Sequence, residues 1–208
     1  MKIELKNLGK RYRYEWILKN MNFQFQSGDS YAVLGHNGSG KSTFMQILSG
    51  YLSPSAGKII YTLDNKVIDI NVIYRYITFA SPYTELIDEL TLKESIAFHT
   101  KFKPLLNDLK KSDVLELMKF PRNAHDKAVQ FFSSGMKQRL KLAQAFFSAT
   151  PVLLLDEPCT NLDKEGIALY HSLLDNYSKD RIVIISSNDP VEYAHCKSVI
   201  AIDDFKKW

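Results

Sequence analysis

The sequence predicts a mixed α/β fold, with a mostly parallel sheet carrying helices on both faces and a helical insertion. Three observations predict it. Short apolar runs, Tyr31–Leu34, Val152–Leu155 and Ile182–Ile185, suit buried strands. Helical patterns alternate with them, as in a doubly covered parallel sheet. Between about residues 85 and 148 the strand signal fades and helix signals cluster. The whole chain, residues 1–208, reads as one domain containing that helical subdomain.

The elements follow in order. Alternating Ile3, Leu5 and Leu8 predict a first strand, and Ile17 to Phe25, alternating through Met21, Phe23 and Phe25, a second. Ser27-Gly28-Asp29 is a turn into the strand Tyr31–Leu34. A helix begins after Lys41 and stops at Gly50; Pro54 and Gly57 mark the next turn. Lys58–Leu63 and Lys66–Ile70 read as a hairpin about Asp64-Asn65, and Tyr76–Ala80 as a short strand. Thr91-Leu92-Lys93-Glu94 is a capping-box signature, predicting a helix from about 92 to 102 that Pro104 interrupts. Ser112–Lys119 suggests another. From Ser134 a helix places Met136, Leu140, Ala143 and Phe147 on one face. Pro151 introduces the strand Val152–Leu155. A helix near Lys164–Tyr177, a strand at Ile182–Ser186, a short helix from Pro190 and a strand at Ser198–Ile202 complete the pattern.

Composition narrows the class. The net charge of +4 arises from Lys2, Lys6, Lys10, Arg11, Arg13 and Lys19 against Glu4 and Glu15; the rest of the chain is balanced. Such a strip suits nucleotide phosphates, anionic headgroups or nucleic acid, or is simply a solvated strand edge. Cys159 and Cys196 form no metal or redox spacing, which fits a reducing compartment. No secretory leader follows Lys2, and no apolar run approaches the roughly 20 residues of a spanning helix. The expectation is a chain that is soluble or held to a membrane by another protein. Trp208 follows soon after the last strand, leaving little room for a regulatory module.

The sharpest motif is Gly35-His36-Asn37-Gly38-Ser39-Gly40-Lys41-Ser42-Thr43, which fits G-x-x-x-x-G-K-[ST] between a strand and a helix. Glycines 35, 38 and 40 let the backbone approach a ligand, and inward amides make an anion cradle at the helix N-terminus. Lys41 supplies charge for β- and γ-phosphates and Ser42 a hydroxyl for Mg²⁺. This is a phosphate loop, and the core is that of a phosphate-loop NTPase. Val152–Leu155 then ends in Asp156-Glu157. In such a core Asp156 lies near the Mg²⁺ held by Ser42, and Glu157 is placed to polarise an attacking water.

A third motif, Phe132-Ser133-Ser134-Gly135-Met136-Lys137-Gln138-Arg139, lies just upstream of Asp156. It resembles the LSGGQ-x-x-R signature of ATP-binding cassette (ABC) proteins. Ser133, Gly135 and Arg139 fit; Phe132, Ser134 and Met136 replace Leu, Gly and Gln. The resemblance spans nearly the whole chain and implies the ABC ATPase fold, in which an N-terminal antiparallel β subdomain accompanies the mostly parallel sheet and the helical insertion. It implies an aromatic at Tyr12 stacked on adenine, with Tyr14 and Trp16 as rivals. Gly50-Tyr51-Leu52-Ser53-Pro54 and Gly57 look like the family's turn after the first helix, and Asn161-Leu162-Asp163 like its loop that touches a second subunit. It further implies a homodimer or heterodimer paired head to tail, each ATP lying between the glycine loop of one cassette and Ser133–Gly135 of the other.

Two positions depart from the family pattern. Pro82 stands where the family has Gln, with Ser81, Thr84 or Glu85 as nearby substitutes, and Asn188 stands where it has His. Proline has no side-chain donor or acceptor, and Asn donates a hydrogen bond without becoming cationic. By resemblance, Glu157 and Asn188 form the catalytic pair; the two departures imply an ATPase that works, but slowly or with altered coupling. Phe131-Phe132 and Phe146-Phe147 are expected in the core and Cys159 buried. His36 need not touch phosphate. The remaining histidines are scattered, and Lys101-Phe102-Lys103 with Lys110-Lys111 is a solvated face.

Three functions remain open. The first is the energising subunit of a transporter whose transmembrane permease is a separate chain, at the cytoplasmic face of the inner membrane. The second is a soluble assembly ATPase of the iron–sulfur type. The third is a weakly hydrolysing, nucleotide-gated subunit of a heterodimer. None requires nucleic acid. Cargo and direction of transport lie outside this chain.

Overall fold

The structure, a computed structural model, describes residues 1–206; the reading at Trp208 lies outside them. Two sheets share the chain. The antiparallel sheet has the order β2-β1-β4-β5, from β1 Lys2–Tyr12, β2 Glu15–Gln26, β4 Ala56–Leu63 and β5 Lys66–Ile68. The parallel sheet has the order β6-β7-β8-β3-β9, from β3 Ser30–Leu34, β6 Ile77–Ala80, β7 Val152–Asp156, β8 Ile182–Ser186 and β9 Ser198–Ala201. Helices are α1 Lys41–Leu48, α2 Leu92–His99, α3 Lys111–Leu117, α4 Ser134–Phe146, α5 Lys164–Tyr177 and α6 Pro190–Tyr193.

Alternation explains the two cores. Along β7 and β8, Val152, Leu154, Ile182 and Ile184 face a core shared with α1 and the antiparallel sheet. Leu153, Leu155, Val183 and Ile185 face the other side, against α2, α4, α5 and the helical insertion. Successive strand side chains point to opposite faces, so one fully apolar strand serves both cores. In β1, Ile3, Leu5 and Leu8 are all buried although the last step is three. The pairing register shifts between Leu5 and Leu8, and Asn7 there has φ 50°, a bulge that turns Leu8 back to the core.

The helices start where their caps direct. Thr91 and Glu94 form the expected capping box, but α2 ends at His99, sooner than expected. Ser133 caps α4 by accepting the Met136 N–H at 3.2 Å, and Asp163 caps α5 by accepting the Gly166 N–H at 2.7 Å. Two expectations fail. Phe132 is buried, whereas Phe131, on the preceding single helical turn, is 63% exposed. Lys103 is not a solvated surface group: it is half-buried and donates to the Ile77 carbonyl at 2.6 Å. The histidines are less scattered than expected, since the His171 and His195 rings lie 5.0 Å apart.

Buried Arg181, just before β8, ties the sheet to α4. Its Nη1 donates to the Phe146 carbonyl at 2.9 Å, and its Nη2 to Thr150 Oγ1 at 2.8 Å and Thr78 Oγ1 at 3.1 Å. Arg181→Ala removes these bonds and leaves a void, an expected loss of about 3 kcal/mol. For a chain of this size that corresponds to a melting midpoint roughly 6–12 °C lower, read from a thermal unfolding curve.

Candidate functional site

The C-terminal ends of β3 and β7 and the start of α1 converge on a pocket of about 450 Å³ lined by Asn37, Gly38, Ser39, Gly40, Lys41, Ser42, Thr43, Ile17, Tyr83 and Glu157. The loop wraps tightly: the Ser39 N–H donates to the His36 carbonyl at 3.0 Å, and the Lys41 Nζ donates to the carbonyls of Gly35 at 2.7 Å and His36 at 3.3 Å. Gly40 has φ 102° and precedes the first helical residue; a Cβ there would strike Ile17 Cγ2 as well as strain the backbone. The loop therefore presents amides and the N-terminus of α1 to the pocket.

Asp156 ends β7 and pairs in register with Ser186 of β8. Its side chain is buried, and neither carboxylate oxygen has a hydrogen-bond partner; Ser186 Oγ and Ser39 Oγ are likewise buried and unpartnered. Burial pushes the Asp156 carboxyl up from its ordinary range and Glu157 adds to the rise, while the nearby Ser42 and Ser186 hydroxyls, close but outside hydrogen-bond geometry, and the Lys41 charge pull it partly back. Unsatisfied buried oxygens are costly. Among the described residues no group of three His, Cys, Asp or Glu side chains forms a metal cage. One carboxylate with the Ser42 and Ser186 hydroxyls instead fits a hard divalent cation that keeps waters and shares phosphate oxygens, as Mg²⁺ does.

Glu157 follows with φ 44°, a left-handed backbone that non-glycine residues rarely adopt, and its N–H donates to the Ser186 carbonyl at 2.8 Å. That turn aims Glu157 into the pocket while Asp156 stays beneath it. Asn188 closes the loop's other side. With its amide oriented to suit its neighbours, Asn188 donates to the Gly35 carbonyl and accepts from Lys41 Nζ at 3.3 Å.

The other expected residues lie elsewhere. Tyr12, Tyr14 and Trp16 do not line the pocket; Arg11 stacks on Trp16 and Lys10 on Tyr12, while Ile17 reaches the loop. Ser81, Thr84 and Glu85 line a separate groove instead, and Tyr83 is the residue of that segment that reaches the pocket. The Ser81 and Pro82 carbonyls accept from Lys141 Nζ at 3.1 and 2.7 Å. Sequence patterns carry no sign of Ile17 or Tyr83, whose positions depend on how distant segments meet.

Ser133, Ser134 and Gly135 also lie outside the pocket. They are fixed against the loop after Glu157: Gln138 Nε2 donates to the Pro158 carbonyl at 2.8 Å, and Arg139 Nη2 to Asp163 Oδ1 at 3.0 Å. From α6, the buried Glu192 accepts the Cys159 N–H at 2.6 Å. Glu192 escaped the sequence reading because α6 is too short to show a buried face. A Cβ on Gly135 would sit 2.9 Å from the Asn161 carbonyl. Gly135→Ala is therefore expected to cost about 1–2 kcal/mol and to push the Asn161 loop outward, visible as a lower melting midpoint.

Comparisons with known proteins agree with this geometry. Residues 18–160 match the family model described as ABC transporter. The chain is 32% identical over 209 residues to the uncharacterized ABC transporter ATP-binding protein YybJ of Bacillus subtilis, covering 97% of this chain and 89% of that one. It is 31% identical over 204 residues to the lantibiotic transport ATP-binding protein SrtF of Streptococcus pyogenes, covering 95% and 85%. Two other Bacillus subtilis relatives, YcbN and YxlF, are longer, and the chain spans 61% and 62% of their lengths. Among solved structures, a putative ABC transporter ATP-binding protein from Pyrococcus furiosus superposes with TM-score 0.82 at 23% identity, covering 100% of both chains. A dimeric ATP-binding cassette in a post-hydrolysis state with ADP and Pi superposes with TM-score 0.79 at 22% identity, over 96% of this chain and 93% of that one. The family match over most of the chain, together with these relatives, establishes that the protein belongs to the ABC transporter family as an ATP-binding cassette.

Proposed function

We propose that this cassette binds MgATP on Gly35–Thr43, closes head to tail on a second cassette, and hydrolyses the nucleotide to drive a separate transmembrane permease. The observation that carries this reading is the pairing of an unpartnered, buried Asp156 carboxylate with Glu157 facing the same pocket as the loop. Loop amides of Asn37, Gly38, Ser39 and Gly40 hold phosphate oxygens, Lys41 exchanges its bonds to Gly35 and His36 for the β- and γ-phosphates, and Thr43 lines the site. Ser42 and Asp156 hold Mg²⁺, which when bound neutralises developing phosphate charge. Glu157 accepts the proton of the attacking water, and Asn188 donates to the γ-phosphate.

Ser133, Ser134 and Gly135 complete the partner cassette's site, which is consistent with their lying outside the pocket of their own chain. Tyr12 is the aromatic assigned to adenine, reached when nucleotide enters. Pro82 and Asn188 slow hydrolysis rather than abolish it. The chain acts as one domain, with residues 85–148 as its helical subdomain.

The permease reading has its own support. A groove of about 540 Å³ opens between α1 and the segment after β6, lined by Gln46, Tyr51, Tyr74, Phe79, Tyr83 and Lys103, among others. Tyr51 and Tyr83 are 83% and 77% exposed, and exposed aromatics in a groove suit a docking segment. No helix among the described residues is long and apolar enough to cross a membrane, so a spanning partner places this chain at the cytoplasmic face. Affinity purification of the tagged chain from detergent-solubilised membranes is expected to recover one polytopic protein in near-stoichiometric amount. Recovery of only soluble partners, with ATPase activity intact, would instead support an assembly ATPase.

A further inference from the structure

Behind the groove, basic side chains meet with no acid to balance them. A cavity of about 140 Å³ lies between β6, α2 and α4, lined by Thr78, Thr84, His99, Lys103, Lys141 and Gln144, among others. Lys103 and Lys141 point their ammonium groups at the backbone carbonyls of Ile77, Ser81 and Pro82, and Arg181 sits behind Thr78. Among the described residues, none of Lys103, Lys141 and Arg181 has a carboxylate oxygen within 4.0 Å. Glu85 lines the groove, not the cavity. Burial pushes Lys103 down to about 8, with Arg181 adding to the fall, and Arg181 down to about 10; both remain cationic at neutral pH. Desolvated charge without a counter-charge is costly, and an arriving anion would relieve that cost.

The donor count says what kind of anion fits. An ammonium carries three N–H donors. Lys103 uses one on Ile77 and Lys141 two on Ser81 and Pro82. Three N–H donors and the Thr84 hydroxyl are left, a match for the roughly four lone-pair sites on the two oxygens of one carboxylate. A phosphate presents more acceptor sites than these four donors can fill, and Arg181 cannot supply the rest: it does not line the cavity, and its Nη groups are engaged with backbone and threonine oxygens. His99 is held neutral, its pKa lowered to about 4 by burial and by Lys103, and its Nε2 bonds Ser148 Oγ at 2.8 Å. Entry is from the groove: Phe79, Thr84 and Lys103 line both spaces.

We propose that the Lys103–Lys141 cavity is a carboxylate-binding site that receives an Asp or Glu side chain from the membrane partner's segment seated in the groove. The cavity stands on its own geometry, while its occupant rests on the permease reading above. The acidic residue then bonds directly to the ammonium that holds the carbonyls of Ser81 and Pro82, the segment leading to Tyr83 at the nucleotide pocket.

The test uses the full chain with lysine side chains labelled for NMR, titrated with sodium acetate against sodium chloride at constant ionic strength. Acetate is expected to shift the Lys103 and Lys141 ε-methylene signals saturably and to raise the apparent pKa of Lys103. Lys103→Met and Lys141→Met each weaken acetate at least about tenfold, whereas Lys103→Arg, which keeps charge and donors, retains it. An equal response to chloride, or saturation by sulfate with acetate inert, overturns the carboxylate site. The same variants then enter the purification from solubilised membranes. Retention of the membrane protein by Lys103→Met at wild-type yield overturns the proposed occupant. Absence of acetate binding alongside normal co-purification sinks the cavity site and leaves the permease reading standing.

Discussion

Glu157→Gln is expected to abolish steady-state ATP turnover, by at least ~10²-fold, while ATP still binds. The backbone at Glu157 sits at φ 44° and is held by an N–H bond to Ser186 that the variant keeps. Gln has nearly the same shape, so the turn survives and only proton acceptance is lost. The groups proposed to hold MgATP, Lys41, Ser42 and Asp156, are untouched, so the variant is expected to accumulate as an ATP-bound dimer. Turnover by phosphate release and dimerisation by size-exclusion with MgATP check the two halves. Unchanged turnover would remove Glu157 from the chemistry and shift attention to Asn188.

Lys41→Ala is expected to weaken ATP binding by roughly 10- to 100-fold, the worth of charge-assisted hydrogen bonds at about 1.5–3 kcal/mol. The effect on folding has its own cause. The Lys41 ammonium bonds the Gly35 and His36 carbonyls and meets the Asn188 amide at 3.3 Å. Lys41 is only 6% exposed, so alanine removes its buried stem together with those bonds, and the melting midpoint in the absence of nucleotide is expected to fall by a few degrees. In wild type, saturating MgATP raises the midpoint by mass action; in Lys41→Ala that rise is largely lost. A full nucleotide-dependent rise in the variant would rule out Lys41 as the phosphate grip.

Much of this was legible in the chain. The strand–loop–helix context of Gly35–Thr43, the capping box at Thr91–Glu94 and the apolar run before Asp156 are local signals, and local chemistry directs local structure. What stayed hidden depends on distant segments meeting. Lys103 sits in a run of charges that reads as solvated, yet the fold brings its ammonium onto the Ile77 carbonyl. Phe131 and Phe132 look equivalent until a single helical turn sends one inward and the other out. Ile17 and Tyr83 reach the glycine-loop pocket from segments with no motif of their own. Tyr12 satisfies the family pattern by position, yet its exposed ring does not line the pocket.

The strand order of the parallel sheet also bears on how the chain is made. β3, which delivers the glycine loop, lies between β8 and β9, with Tyr31 pairing Ile184 and Ser198. A growing chain exposes Tyr31–Leu34 long before its neighbours leave the ribosome. The antiparallel sheet, built from residues 2–68, has every pairing at hand early. The closure entropy of joining β3 to β8 falls late and is large. Synthesis from the N-terminus thus makes an early β subdomain and a late catalytic core, with β3 unpaired in between. That interval is when this protein is most exposed to aggregation, and slower translation just before β8 is expected to lengthen it and lower the soluble yield.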